Sequence, residues 1–67
     1  MFILNQSRNE VINVEHISHI NIEDDVICAY MTDKNNRILG IYKNAAETYE
    51  LLIKELAEDR AKLIIMP

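Results

Sequence analysis

Residues 26–36 read VICAYMTDKNN, and they decide the fold. Val26, Cys28 and Tyr30 alternate with Ile27, Ala29 and Met31, so a strand over Val26–Thr32 is apolar on both faces. Such a strand is covered on both sides and belongs at the centre of a sheet. Asp33-Lys34-Asn35-Asn36 is dense turn chemistry, side chains that bond their own backbone. The chain therefore reverses there into another strand, Arg37–Lys43. Upstream, Asp24-Asp25 makes a tight connection to a strand over Ile17–Glu23, which carries Ile20 and Ile22 on one face. Before that strand the apolar parity slips: Ile12 and Val14 alternate, and Ile17, Ile20 and Ile22 do not continue the series. A one-residue slip exchanges the faces of a strand, so a bulge or short turn is expected at Val14-Glu15-His16. Glu10–Val14 and Met1–Leu4 complete the strands, separated by turn residues 5–9.

Asn44 opens a helix. It is a favoured N-cap residue, and Glu47 stands three residues on in a capping-box arrangement. Ala46, Tyr49, Ile53, Leu56 and Ala57 follow 3-4 spacing, with Ala45 and Leu52 on the flank, and this stripe is expected to cover a sheet face. Glu47, Glu50, Lys54, Glu58 and Asp59 fall on the outer side. Leu63-Ile64-Ile65-Met66 then makes a short apolar strand that should pair with a sheet edge, in its own chain or in a partner. The fold class predicted is α+β. A single domain over residues 1–67 holds an antiparallel meander of four to six short strands, one C-terminal helix on one face, and a short terminal strand.

A chain of 67 residues makes one domain at most, and a core of that size is marginal alone. Natural domains this small add a staple. The lone Cys28 excludes an internal disulfide, and two histidines with one cysteine cannot complete a Cys/His zinc site. Association with another chain is the staple that remains, so a homodimer is expected, with a marginal monomer as the alternative. Hydrophobic residues make up 49% and charged residues 27%, which is a folding composition. The net charge is −4 and the basic residues are scattered among acids, which disfavours direct nucleic-acid binding. No apolar run approaches the ~20 residues that span a bilayer. The opening MFILNQSRNE has neither the basic start nor the long apolar stretch of a signal peptide. The expectation is a cytoplasmic protein that does not engage membranes.

The chemistry-bearing residues form no catalytic pattern. His16 and His19, with Glu15 beside them, would suit a metal on a helix; on a strand, residues three apart point to opposite faces, so they read as surface histidines. Cys28, between Ile27 and Ala29, reads as a small packed hydrophobe. Glu23-Asp24-Asp25 reads as a solvated turn, with carboxylates for a cation but no glycine for a calcium loop. The single glycine, Gly40, excludes glycine-rich phosphate loops and marks a bulge or a close approach in mid-strand. The expectation is no catalytic, cofactor-binding or metal-ligating residue, and no enzyme. Tyr30, Tyr42 and Tyr49 suit interface anchors and core margins equally. The candidate partner-binding residues are Tyr42, Glu50, Glu58 and Asp59. The candidates for self-association are the apolar ends Met1, Phe2, Ile64 and Met66, which a small sheet can hardly hide.

The string ILNQSRNEVINVEHISHINIEDDVICAYMTD, residues 3–33, followed by LGIYKNAAETYELLIKEL, residues 39–56, resembles small proteins encoded by phages and prophages of Gram-positive bacteria. The shared pattern is an opening ILNQ, an I.N...I..I.I segment, an LG.Y strand and a helix rich in Glu and Leu. That family has no agreed activity. A weaker resemblance is to FlbD-type flagellar-operon proteins, which place an IN...I..I strand, a hairpin and a helix in the same order. Their basic hairpin tip is replaced here by Asp33-Lys34-Asn35-Asn36. The first resemblance implies phage or mobile-element origin, and with the acidic balance and the lack of a catalytic pattern the functional expectation is a non-enzymatic protein-interaction module that inhibits or modulates a host protein through an acidic surface. The second implies a regulatory or structural subunit of a host complex, flagellar or transcriptional.

Overall fold

The computed structural model describes residues 1–60 and 62–67. Among these, six strands form two three-stranded sheets, and one helix follows the fifth strand. In the first sheet β1 (Phe2–Leu4) lies between β2 (Val11–Asn13) and β6 (Leu63–Ile65). In the second, β4 (Val26–Met31) lies between β3 (Ile17–Glu23) and β5 (Asn36–Ile41). The helix α1 covers Ala45–Glu58. The α+β class with a C-terminal helix is as the sequence predicts. Two details differ: the strands divide between two sheets, and β6 pairs parallel to β1. A helix between two strands can return the chain in the direction it started, which no tight hairpin can do.

The turns form where the sequence places them. Asn5 is buried and organises the first: its Oδ1 accepts the Asn9 and Glu10 N–H groups, both at 3.2 Å, and its Nδ2 donates to Asn9 Oδ1 at 2.8 Å. The parity slip is a 3₁₀ turn over Val14–His16, capped by Asn13 Oδ1 accepting the Glu15 N–H at 3.0 Å. Asp24 and Lys34 take left-handed backbone at the two hairpins, φ 53° and 73°. Asp tolerates that conformation because its short polar side chain can bond locally.

β4 is the central strand expected. Ile27 and Ala29 are buried on its inner face, and Cys28 is half-buried on the outer one. Opposite Ile27 the β4–β5 register shifts, so that Leu39 and Gly40 are both buried. Gly40 therefore sits at a bulge, and the Tyr42 ring occupies the space a Cβ there would need. The inner faces meet in one core: Ile3, Ile12, Ile64 and Met66 from the first sheet, Ile27, Ala29 and Leu39 from the second, and Ala45 and Leu52 from α1.

The helix stripe is turned from its expected setting. Ala45 and Leu52 form its centre, Tyr49 and Leu56 pack partly, and Ala46, Ile53 and Ala57 are exposed. Positions 45, 49, 52 and 56 keep the same 3-4 spacing as the predicted set, so periodicity alone does not choose between them. Asn44 occupies the N-cap without a side-chain cap bond. Asp59 ends the helix in left-handed backbone and returns its N–H to the Glu55 carbonyl.

Candidate interaction surfaces

Strand alternation sorts each sheet into an inner and an outer face. In the first sheet Phe2 lies beside Asn13 and Leu63, and Leu4 beside Val11 and Ile65. The outer face is therefore Phe2, Leu4, Val11, Asn13, Leu63 and Ile65, with no charged side chain. Phe2 is 44% exposed, Val11 58%, Leu63 45% and Ile65 57%. Such fractions of full-size apolar side chains sum to roughly 400 Å², within the range where patches on small proteins tend to be functional.

The second sheet's outer face mixes chemistries. Val26, Cys28, Ile38 and Ile41 are neighbours across β4 and β5. Asn21 opposes Cys28, and its Oδ1 is buried with no partner among the described residues. His19 stacks on Tyr30, centroids 4.5 Å apart and planes within 6°. Ser18 Oγ donates to the Tyr30 carbonyl at 3.0 Å and lies 3.1 Å from His19 Nδ1. Burial pushes the Cys28 thiol above its ordinary value, and the Glu23 charge adds to that, so the thiol stays protonated and unreactive at neutral pH.

Both edges of this second sheet are met in part from within the chain. The Gln6 N–H donates to the Leu39 carbonyl at 2.8 Å, and its side-chain amide takes both polar groups of Ile41, at 2.9 and 3.0 Å. Gln6 thus stands in for a further strand along β5. On the β3 side the Tyr49 hydroxyl donates to the Ile20 carbonyl at 3.1 Å.

The partner-binding candidates separate in space. Glu50, Glu58 and Asp59 are exposed along α1 and its cap, as the helical spacing requires. Tyr42 is not a protruding anchor: its ring lies over Gly40, its hydroxyl is buried without a partner among the described residues, and burial raises its pKa. The self-association candidates divide by strand parity. Phe2 is exposed and Met1 packs partly on the core, while Ile64 and Met66 are buried at 5% and 1% exposure. Reading the apolar ends as a group by position in the chain overlooked that alternate residues face opposite ways. The outward set is Phe2, Leu63 and Ile65, joined by Leu4 and Val11. The missed signal lay in the period-2 pattern of Leu63-Ile64-Ile65-Met66, which becomes readable once one residue is anchored inside.

Two apolar grooves flank α1. One lies against β6, between Leu51 and Ile65; the other lies against the β3 side, between Ile53 and Ile20, with Glu15, His19 and Asp59 at its lip. Among the described residues no cluster of three His, Cys, Asp or Glu side chains is placed to hold a metal. No helix among them is long and apolar enough to cross a membrane. No family model, curated protein or solved structure matches the chain.

Proposed function

We propose that this chain is a non-enzymatic protein-interaction module, self-associating and cytoplasmic, of phage or mobile-element origin, that modulates a host protein. The observation that carries the reading is the uncharged apolar face of the β2–β1–β6 sheet. Holding Phe2, Leu4, Val11, Leu63 and Ile65 in water has a cost that a partner surface removes. The acids Glu50, Glu58 and Asp59 lie on a different element and suit the encounter rather than the contact: an acidic chain steers toward a basic partner surface, and apolar burial then holds it.

The test pairs two variants in a pull-down from bacterial host lysate. Leu63→Asp places a charge in the apolar face, and the triple reversal Glu50→Lys, Glu58→Lys, Asp59→Lys inverts the helix face. A stoichiometric partner retained by the wild type and lost with Leu63→Asp supports the face. A partner lost only with the triple reversal moves the contact to the helix.

A further inference from the structure

The outer edge of β6 is open among the described residues, and its backbone pattern points to an occupant. The β1–β6 ladder begins with the Phe2 N–H donating to the Lys62 carbonyl at 2.9 Å and closes with the Met66 N–H donating to the Leu4 carbonyl at 3.0 Å. These end bonds fix its phase. Lys62, Ile64 and Met66 turn their polar backbone groups toward β1, so Leu63 and Ile65 turn theirs away from the sheet. None of those four groups is bonded among the described residues. An extended strand is the backbone that fits a row of alternating donors and acceptors.

We propose that the strand is β6 of a second copy, paired antiparallel about a two-fold axis at Ile64. The arrangement is self-complementary. Leu63 of each chain faces the partner's Ile65, and their N–H and C=O groups exchange two hydrogen bonds. The symmetry repeats the pair, so all four outward groups of each chain are satisfied at once. The next outward position, Pro67, has no N–H to offer, so the ladder ends there.

Charge selects this edge over the free edge of β2 in the same sheet. By the same phase argument β2 turns Val11 and Asn13 outward, because the Asn5 N–H meets the Glu10 carbonyl and the Val14 N–H meets the Met1 carbonyl. Glu10 is paired with Arg37 at 3.0 Å, but Glu15 flanks β2 without an ion-pair partner among the described residues, so self-pairing there would bring two such carboxylates toward each other in chains that each carry −4. β6 lies between Lys62 and Pro67 with no carboxylate in the segment. Leu51 of α1, exposed, lines the adjoining groove together with Ile65. A second copy brings apolar surface to it. The pairing leaves the outer face of the first sheet open and doubles it, joining Phe2, Leu4, Val11, Leu63 and Ile65 of one chain to the same set of its partner.

This inference rests on the self-association in the proposed function, and the test separates the two. Sedimentation velocity at tens of micromolar should give a species twice the 7.8 kDa of the chain. Ile65→Pro removes an N–H that no bond among the described residues uses, and Leu51→Glu puts a charge beside the edge; both should sediment as monomers with unchanged far-UV circular dichroism. Hydrogen exchange gives an independent reading, since the Leu63 and Ile65 amides should slow at least about tenfold between dilute and concentrated wild-type protein. A dimer that persists in folded Ile65→Pro overturns the β6 pairing and leaves self-association standing. Should Ile65→Pro fail to fold, exchange decides: fast Leu63 and Ile65 amides in a populated dimer overturn the pairing. A wild type that stays monomeric throughout overturns both.

Discussion

The β3–β4–β5 sheet and the β2–β1–β6 sheet are built from strands of the same number and stand on one core, yet they finish their surfaces in opposite ways. In the β3–β4–β5 sheet both edges are met in part from within: Gln6 bonds Leu39 and Ile41 of β5, and the Tyr49 hydroxyl bonds the Ile20 carbonyl of β3. Its outer face carries polar groups among the apolar ones, with Asn21, Ser18 and the His19–Tyr30 stack beside Cys28 and Ile38. The β2–β1–β6 sheet leaves the edges of β2 and β6 without described partners and exposes a face with no charge. Natural sheets blunt exposed edges because an open edge recruits other strands. Both treatments coexist in one small chain, and the contacts proposed above fall on the more open sheet.

The largest effect that sharpens this contrast lies within β6 itself. Ile64 is buried and Ile65 is exposed, and they are adjacent. Ile64→Ala should cost about 2–5 kcal/mol, the usual toll for a buried aliphatic chain cut to alanine. In a domain of ~5 kcal/mol total stability that approaches unfolding. Ile65→Ala should change the stability of the dilute protein by no more than about 0.5 kcal/mol. Urea midpoints at low concentration check both, and equal losses would refute the assignment of faces.

Gln6→Ala comes next. It deletes two hydrogen bonds to Ile41 and leaves a strand edge bare, so a loss of about 1–2 kcal/mol is expected. It should also give β5 the property proposed for β6. Light scattering should show species larger than those of the wild type, growing with concentration. A Gln6→Ala protein with wild-type stability and assembly would mean that an open edge is not what distinguishes the two sheets. Tyr49→Phe is the milder version on the β3 side. It removes one hydroxyl donor and leaves the ring packed, so about 0.5–1.5 kcal/mol is expected, again read from the urea midpoint.

What the sequence discloses follows from what each signal measures. Val26–Thr32, apolar on both faces, is legible as a central strand because burial on two sides leaves no polar alternation. The break at Val14-Glu15-His16 is legible because a parity slip needs a physical device, found here as a 3₁₀ turn. The helix is legible in existence and not in rotation, since stripes through Ala45 and through Ala46 satisfy the same spacing. The division into two sheets is illegible because it depends on Gln6 and the β1–β6 pairing, contacts between residues far apart in the chain. The candidate surface was half legible. The apolar ends announced themselves, but which of Leu63, Ile64, Ile65 and Met66 faces water is set by tertiary anchoring.

The smallest effect expected concerns the closed sheet and is read from pH. Cys28 is half-buried on its outer face, and burial with the Glu23 charge holds the thiol above its ordinary 9.0. In the unfolded chain that thiol ionises near the ordinary value, so above it the unfolded state releases a proton that the folded state retains. The contribution is therefore complete below pH 9.0 and fades as pH rises through the higher folded value. Tyr42, raised by burial from 10.0, adds a second loss of the same sign at higher pH. Urea midpoints of the wild type should begin to fall as pH passes 9.0. Those of Cys28→Ala should hold until the Tyr42 region is reached. The comparison is between the shapes of the two curves, because removing the thiol shifts the whole profile by whatever packing it supplied. Parallel curves through this range would show that the thiol is solvated as in a free strand. The outer face of the second sheet would then be as open as that of the first, and the contrast between them would rest on edges alone.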